Sequence, residues 1–241
     1  ANIVPWMMLV QERGIQIRWV PLTADGQLDL TDIDTILDGA KVFSFTAMSN
    51  VLGTITPITL LCNKAHAAGA LAVVDACQFV PHNVTDVQSW NADLVAFSSH
   101  KMCGPSGIGM LWGRMEILDA MPPFLGGGNM IDTVTFDGFT TAPVPAKFEA
   151  GTPAIIESIR AGLVFQLKEA VGPDVIEAKE SDFVRRAIGR WEQHQNINVL
   201  GSPVQALRDI LTLMPTDTDE EWGAIASRLE AIPVALDQVR S

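Results

Sequence analysis

The sequence predicts an α/β protein with a mostly parallel sheet that is covered by helices. Two observations lead to this prediction: short runs that are apolar at every position, and helical segments that separate those runs. The chain has 241 residues, of which 48% are hydrophobic. That length is enough for one large domain with a smaller lobe, and the composition is that of a globular protein.

The strands and helices alternate through the first half of the chain. The apolar runs are rich in Val and Phe, which favour strands, and the stretch between the first two runs has the Ala content and spacing of a helix that ends at Gly69. Continuous apolar strands separated by helices indicate a sheet buried on both faces. The predicted elements are strand 42–48, helix 55–70, strand 70–77, a short helix or turn at DVQSWNA, strand 94–99 and strand 107–113.

The pattern changes after Gly128. Residues 132–153 are rich in Thr, Pro and Gly and predict an ordered loop. Helical periodicity returns at 154–171 and 177–195, and TDTDEEW begins a further helix over 217–239. We therefore predict a large domain over residues 1–171 and a partial small domain over 172–241.

The charge and hydropathy of the chain exclude two classes of partner. The net charge is −12 and the few Lys and Arg residues form no run, so neither a nucleic-acid-binding surface nor an anionic-membrane patch is expected. The apolar stretches are interrupted well short of the roughly 20 residues that span a bilayer. No charged-then-apolar signal segment opens the sequence, and a cytoplasmic location is the expectation.

The three cysteines, Cys62, Cys77 and Cys103, predict free thiols in a reducing compartment. They are odd in number and form no CxxC pair, which argues against a disulfide framework and against a zinc site. Cys62 and Cys77 fit small buried apolar positions. Cys103 is of more interest, because it lies two residues from a lysine with unusual surroundings.

That lysine is Lys101, in the stretch FSSHKMCGPSGIG. It lies between an apolar strand and a glycine-rich turn. Ligands of α/β proteins bind at the carboxyl ends of parallel strands, so Lys101 is expected to point into a crevice. A partly desolvated lysine there has a lowered pKa and reacts as an amine with a carbonyl group.

A carboxylate and an amide follow the preceding strand. VVDACQ places Asp75 and Gln78 at the edge of the sheet where Lys101 is expected. A buried carboxylate needs a partner, and a protonated pyridine nitrogen is one, as in enzymes that bind pyridoxal phosphate through a lysine. Two structural alternatives are that Asp75 caps the following segment or pairs with Lys101.

Six motifs, in this order and at these separations, give the sequence a family resemblance. They are SNVLGT, VVDACQ, FSSHK, GPSGIG, GGGNMI and FEAGTP. Over residues 1–200 the chain resembles the class V aminotransferases, specifically the cysteine desulfurases and selenocysteine lyases of the sulfur-mobilisation type. The resemblance implies the fold type I of pyridoxal-phosphate enzymes, with a seven-stranded sheet, and pyridoxal 5′-phosphate as cofactor.

The resemblance also implies roles for the lysine, acid and amide. Lys101 matches the lysine that binds the cofactor as a Schiff base and later moves the substrate α-proton. Asp75 matches the acid that keeps the pyridine nitrogen protonated, so that the ring withdraws electrons. Gln78 matches the amide that hydrogen-bonds the ring hydroxyl.

Five further residues match family positions that hold the cofactor. Asn50 matches the asparagine that lines the cofactor and substrate side. Ser98 and His100 match phosphate-binding residues. Gly151 and Thr152 match a pair that reaches the phosphate of the neighbouring subunit, which implies a homodimer.

The chain departs from the family pattern at both ends. ANIVPW matches a segment that in the family directly follows a histidine stacked on the cofactor ring, and the match to the small C-terminal domain is interrupted after NVLGSP. That interruption removes the loop with the nucleophilic cysteine, and Ile210 stands where the family has a substrate-binding arginine, with Arg208 two residues earlier. We expect a chain that is incomplete at its N-terminus and in its C-terminal domain.

The expected activity is that of a cysteine desulfurase, which takes sulfur from L-cysteine and passes it to an acceptor. The acceptor can be a protein, and the sulfur then serves iron–sulfur cluster assembly. Two alternatives stay open. One is another class V reaction, such as selenocysteine or C–S cleavage or transamination. The other is an inactive protein of the same fold.

Overall fold

The computed structural model describes residues 2–196 and contains a four-stranded main sheet in the order β1-β2-β3-β4. The first three strands run parallel, and β4 is antiparallel to β3. The predicted α/β class with a mostly parallel sheet is confirmed. The count of seven strands stays a prediction for the whole domain. The strands are β1 Val42–Thr46, β2 Leu71–Asp75, β3 Leu94–Ser98 and β4 Gly109–Gly113.

Helices separate the parallel strands, as the sequence predicts. The helix between β1 and β2 ends just before Gly69, whose φ of 73° is in the left-handed region that favours glycine. The segment before β3 is a turn. The helices are α1 Val4–Arg13, α2 Ile33–Leu37, α3 Ile58–Ala67, α4 Phe79–His82, α5 Met115–Ala120, α6 Ile155–Val171 and α7 Pro173–Trp191.

The core lies on one face of the sheet. Phe43 and Phe45 of β1 and Ala72 and Val74 of β2 are buried on this face, where α3 packs. The alternate residues of these strands are half-buried or exposed. The described residues therefore cover one face completely and the other only in part, which differs from the burial on both faces that the sequence predicts.

Asp93 closes the edge of the sheet where β2 and β3 begin. Its carboxylate is buried and accepts a hydrogen bond from the Ala72 N–H at 2.7 Å. The same group lies 2.8 Å from Nε2 of His66 on α3 and 3.0 Å from Nε of Arg114 after β4. The Asp93 N–H donates back to the Ala72 carbonyl at 3.1 Å. A buried carboxylate with this many partners is well satisfied, and it joins three elements.

The prediction of a loop throughout 132–153 is wrong. Residues Ile131–Thr135 and Gly138–Thr141 form an antiparallel hairpin, β5 and β6. Its Thr residues are β-branched and suit strands, and the hydroxyls of Thr133 and Thr140 hydrogen-bond across the pair. The hairpin is exposed almost throughout, so it has no continuous apolar run to reveal it.

The helix predicted at 177–195 begins four residues earlier, at Pro173. Proline is favoured in the first turn of a helix because its missing N–H has no partner there in any case. The helix predicted at 217–239, Ile210 and Arg208 all lie outside the described residues. The division into domains at residue 171 stays a prediction.

Within residues 2–196, no helix has the length and apolar character that crossing a membrane requires. In the same range no three His, Cys, Asp or Glu side chains are grouped as metal ligands. Cys62, Cys77 and Cys103 are free thiols, respectively buried, half-buried and exposed.

Candidate active site

Three parallel strands end at one edge of the sheet and bring the predicted residues together there. Asn50 follows β1, Asp75 is the last residue of β2, and Ser98 is the last residue of β3. The register pairs Asp75 with Thr46 on one side and Ala96 on the other. The edge is open, and the Asn50 side chain is exposed.

Lys101 lies in a 3₁₀ turn, Ser99–Met102, that begins where β3 ends. Ser99 and Met102 are buried, whereas Lys101 is half-buried and His100 is exposed. The two buried residues anchor the turn, and the two basic residues, His100 and Lys101, are the more accessible ones. Within residues 2–196 the Lys101 amine makes no hydrogen bond and no ion pair.

Ser99 closes the loop that carries the lysine. Its Oγ donates to the Pro105 carbonyl at 2.6 Å, its own carbonyl accepts from the Gly104 N–H at 3.0 Å, and its N–H donates to the Ile108 carbonyl at 3.5 Å. A Cβ on Gly104 would lie only 2.7 Å from the Ser99 carbonyl oxygen. The GPSG stretch is therefore a close-packed support for Lys101, a role that sequence reasoning did not assign to Ser99 or Gly104.

Asp75 caps the segment that follows β2, which is one of the two structural alternatives that the sequence left open. Its Oδ1 accepts a hydrogen bond from the Cys77 N–H at 3.0 Å, so the carboxylate caps the segment that follows β2. Asp75 and Lys101 form no ion pair in the described part of the chain. The other carboxylate oxygen, Oδ2, accepts no backbone hydrogen bond from residues 2–196.

The thiol of Cys77 shows that these groups share one environment. Burial raises the pKa of this thiol, and the Asp75 carboxylate raises it further through a hydrogen bond and its charge. The Ser98 hydroxyl and the Lys101 ammonium act on the same pKa in the opposite direction. Asp75, Ser98 and Lys101 therefore all lie close enough to act on the Cys77 thiol.

Gln78 precedes α4 at its N-cap position and is half-buried. It lies three residues after Asp75 on the same connection, at the edge that the sequence predicts. His82, at the other end of α4, has its Nδ1 2.8 Å from the Glu180 carboxylate on α7. The ion-pair partner of His82 is thus on α7 and not in the lysine turn.

Gly151 and Thr152 lie before α6 and are tied to a different loop. The Gly151 N–H donates to the Gly128 carbonyl at 2.8 Å, so GGGNMI and FEAGTP contact each other. Thr152 is exposed. No hydrogen bond among the described residues joins either of them to the lysine edge, and their predicted role at a neighbouring subunit stays a prediction.

The groups at this edge fit a phosphorylated pyridine aldehyde. Lys101 offers an unpaired amine, and Asp75 offers a carboxylate oxygen to a ring N–H. Ser98 and the exposed His100 offer a hydroxyl and an imidazole beside them, which are suitable donors to a phosphate. The arrangement can hold a carbonyl compound covalently and keep a ring nitrogen protonated.

Comparison with known proteins agrees with this chemistry. The family model Aminotransferase class-V matches residues 1–234. The chain is 43% identical over 230 residues, 95% of its length, to a probable cysteine desulfurase of Streptomyces coelicolor, covering 52% of that protein. It is 43% identical over 203 residues, 83% of its length, to a cysteine desulfurase of Dickeya dadantii, covering 49% of that protein. The chain spans about half the length of the curated relatives it matches.

Solved structures show the same fold. The cysteine desulfurase CsdA of Escherichia coli superposes with a TM-score of 0.76 at 27% identity, covering 95% of this chain and 68% of that one. An apo cysteine desulfurase of Thermococcus onnurineus NA1 gives 0.77 at 29% identity, covering 95% and 62%. The predicted fold type and the expected cofactor, pyridoxal 5′-phosphate, are confirmed. The matches over most of its length show that the chain belongs to the class V aminotransferase family.

Proposed function

We propose that the protein is a pyridoxal-phosphate-dependent cysteine desulfurase, which converts L-cysteine to L-alanine and transfers the sulfur to an acceptor for iron–sulfur cluster assembly. The observation that carries the proposal is the placement of the Lys101 amine and the Asp75 carboxylate at the ends of adjacent strands. The similarity to relatives named cysteine desulfurase supports this choice among class V reactions.

The cofactor, when bound, supplies an electron-withdrawing ring that stabilises negative charge on the substrate α-carbon. Lys101 would hold it through Nζ and would move a proton to and from the substrate α-carbon. Asp75 would keep the pyridine nitrogen protonated through a carboxylate oxygen, while the Cys77 N–H orients the carboxylate.

The remaining predicted residues bind and orient. The Gln78 amide donates to the ring hydroxyl, and Asn50 lines the side on which substrate enters. Ser98 and His100 donate to the phosphate. Because both are attached to the close-packed turn that carries Lys101, the distance between the phosphate and the Lys101 amine is fixed.

We propose that the active unit is a homodimer in which Gly151 and Thr152 donate to the phosphate of the partner. Thr152 is exposed, and the GGG loop that holds Gly151 continues into a hairpin with large exposed apolar side chains, including Phe136 and Phe139. Exposed apolar clusters of this kind are typical of protein interfaces. A second copy of the chain would cover them and complete the open edge.

The sulfur acceptor in this proposal is a thiolate other than Cys77. The attacking species in sulfur transfer is a thiolate, and the pKa of Cys77 is raised, so this thiol stays protonated at neutral pH. The free thiols of the chain suit a reducing compartment, and a cytoplasmic location is part of the proposal.

Cofactor linkage is the direct test. Purified protein, supplied with pyridoxal phosphate if needed, is expected to show a visible absorbance band that borohydride abolishes, with the reduced cofactor found on the peptide containing Lys101. Lys101→Ala should lose the reducible band. A variant that keeps it would show that another amine holds the cofactor.

Product analysis separates the possible reactions. With L-cysteine and a thiol acceptor, the desulfurase yields alanine and persulfide in equal amounts. Pyruvate and ammonia would indicate a C–S lyase, an oxo acid formed only with an amino acceptor would indicate an aminotransferase, and no turnover with a fully formed cofactor band would indicate an inactive protein.

A further inference from the structure

The segment that carries Gln78 ends in a helix too short to be stable alone. Helix α4 has four residues, and a single turn makes too few internal hydrogen bonds to offset its ordering. On its amino side the segment is secure, because the Ala76 N–H donates to Ala96 of β3 at 2.8 Å. Its carboxyl side has carbonyl groups without partners in the helix.

Lys168 of α6 supplies those partners. Its Nζ donates to the carbonyl of Val80 and, at 2.8 Å, to the carbonyl of Asn83. A lysine at this position also complements the negative end of the helix. Because the Lys168 ammonium is partly removed from water at these contacts, its pKa is lowered. The Glu180 carboxylate opposes that shift.

The same helix is fixed against the strand that leads to the lysine turn. Phe165, one turn before Lys168, packs edge-on against Phe97 of β3 with ring centroids 6.1 Å apart. Helix α6 therefore contacts both connections that carry the site: the one before Lys101 and the one after Asp75. The contact between Glu180 of α7 and His82 adds a second tie at the carboxyl end of α4.

From these contacts we propose that Lys168 is a positioning residue for Gln78. By holding the end of α4, it fixes the N-cap residue and the amide that donates to the cofactor. The proposal rests on the proposed function, because Gln78 acts there on the ring hydroxyl. Lys168 acts in this proposal only through its contacts with the carbonyls of Val80 and Asn83.

A double-mutant cycle tests this inference through cofactor affinity rather than activity. Gln78→Ala should weaken pyridoxal phosphate binding by about fivefold to tenfold, the worth of one hydrogen bond. Lys168→Met should weaken binding by a similar factor, and the double variant should be no weaker than either. Lys168→Arg, which keeps a charged donor, should restore most of the affinity.

Lys64→Met is the matched control. Lys64 also joins two helices, through Asp34 on α2 at 2.7 Å, but lies away from the site. The control makes the same change of charge and side chain, and it should leave cofactor affinity unchanged. If Lys168→Met does not fold, Lys168→Gln takes its place in the cycle.

The outcomes separate this inference from the proposed function. A wild-type protein without a reducible cofactor band would contradict the proposed function. A wild-type protein that binds cofactor, together with Lys168→Met binding as tightly as wild type or adding its full effect to that of Gln78→Ala, would overturn the positioning role alone.

Discussion

Replacing Gly104 with alanine tests the packing of the turn that carries Lys101. The new Cβ would lie 2.7 Å from the Ser99 carbonyl oxygen and 3.0 Å from the Ser99 Cβ, both closer than such atoms pack. The backbone of Gly104 is outside the left-handed region, so the cost is steric. Ser99 is fully buried and cannot move without disturbing its own hydrogen bonds.

Overpacking of this kind costs about 1–3 kcal/mol of unfolding free energy. For a chain of this size, each kcal/mol corresponds to about 2–4 °C in melting temperature. Because relief requires the turn to open beside Lys101, we also expect weaker cofactor binding than in wild type. Urea unfolding of the cofactor-free protein gives the first quantity, and titration of the borohydride-sensitive band gives the second.

Gly189→Ala is the control for this substitution. Gly189 lies inside α7 with nothing within 4 Å of the added Cβ, so alanine should stabilise the helix by about 0.5–1 kcal/mol. The two glycine replacements should therefore change the unfolding free energy in opposite directions. Wild-type stability and a complete cofactor band in Gly104→Ala would refute the close packing of the turn.

Three further predictions concern the acid, the partner contact and the buried thiol. Asp75→Asn should retain cofactor but lose most of the proposed desulfurase activity, since an amide does not keep the ring nitrogen protonated. Activity within a few fold of wild type would count against this role. Thr152→Ala should weaken cofactor binding by about 1–3 kcal/mol and shift the sedimentation of the holo protein toward monomer; holo wild-type protein that sediments as a monomer at micromolar concentration would contradict the shared site. Burial, with the Asp93 charge, raises the pKa of Cys62 to about 11 from its ordinary value of 9.0, so the stability contributed by the neutral thiol is present below pH 9.0 and is lost as pH rises toward 11. The unfolding free energy should therefore fall less steeply with rising pH in Cys62→Ala than in wild type. Equal slopes in the two proteins would show that the Cys62 thiol does not have a raised pKa in the folded state.

The strands and the site edge were predictable because their signals are local. The runs at 42–48, 70–77 and 94–99 are apolar at consecutive positions, and each appears as a strand. Once strands are parallel, their carboxyl ends must meet at one edge. The proximity of Asp75 to the start of the lysine turn follows from that geometry alone.

Other features depend on contacts that the local pattern does not contain. Lys168 and Val80 are 88 positions apart, and nothing around either residue indicates that they meet. Ser99 looks like one more hydroxyl of a phosphate motif, although its burial makes it a support. Nothing in the sequence around His66 indicates that it is a partner of the buried Asp93, 27 positions away.

The two hydrogen bonds between Asp93 and Ala72 fix how far apart groups lie at the other end of β2 and β3, where the candidate site is. Because these two residues are held together, Leu94 lies opposite Val73 and the register of β3 against β2 is fixed. Ser98 follows Asp93 by five residues, about 16 Å along the strand at 3.3 Å per residue. A slip of one residue would carry Ser98 and Lys101 about 3.3 Å along the sheet relative to Asp75 and reverse the facing of every side chain in β3. The spacing between the Lys101 amine and the Asp75 carboxylate thus depends on a contact at the other end of the strands. Substitutions at Asp93 should therefore change the geometry of the site without changing any group that takes part in the reaction.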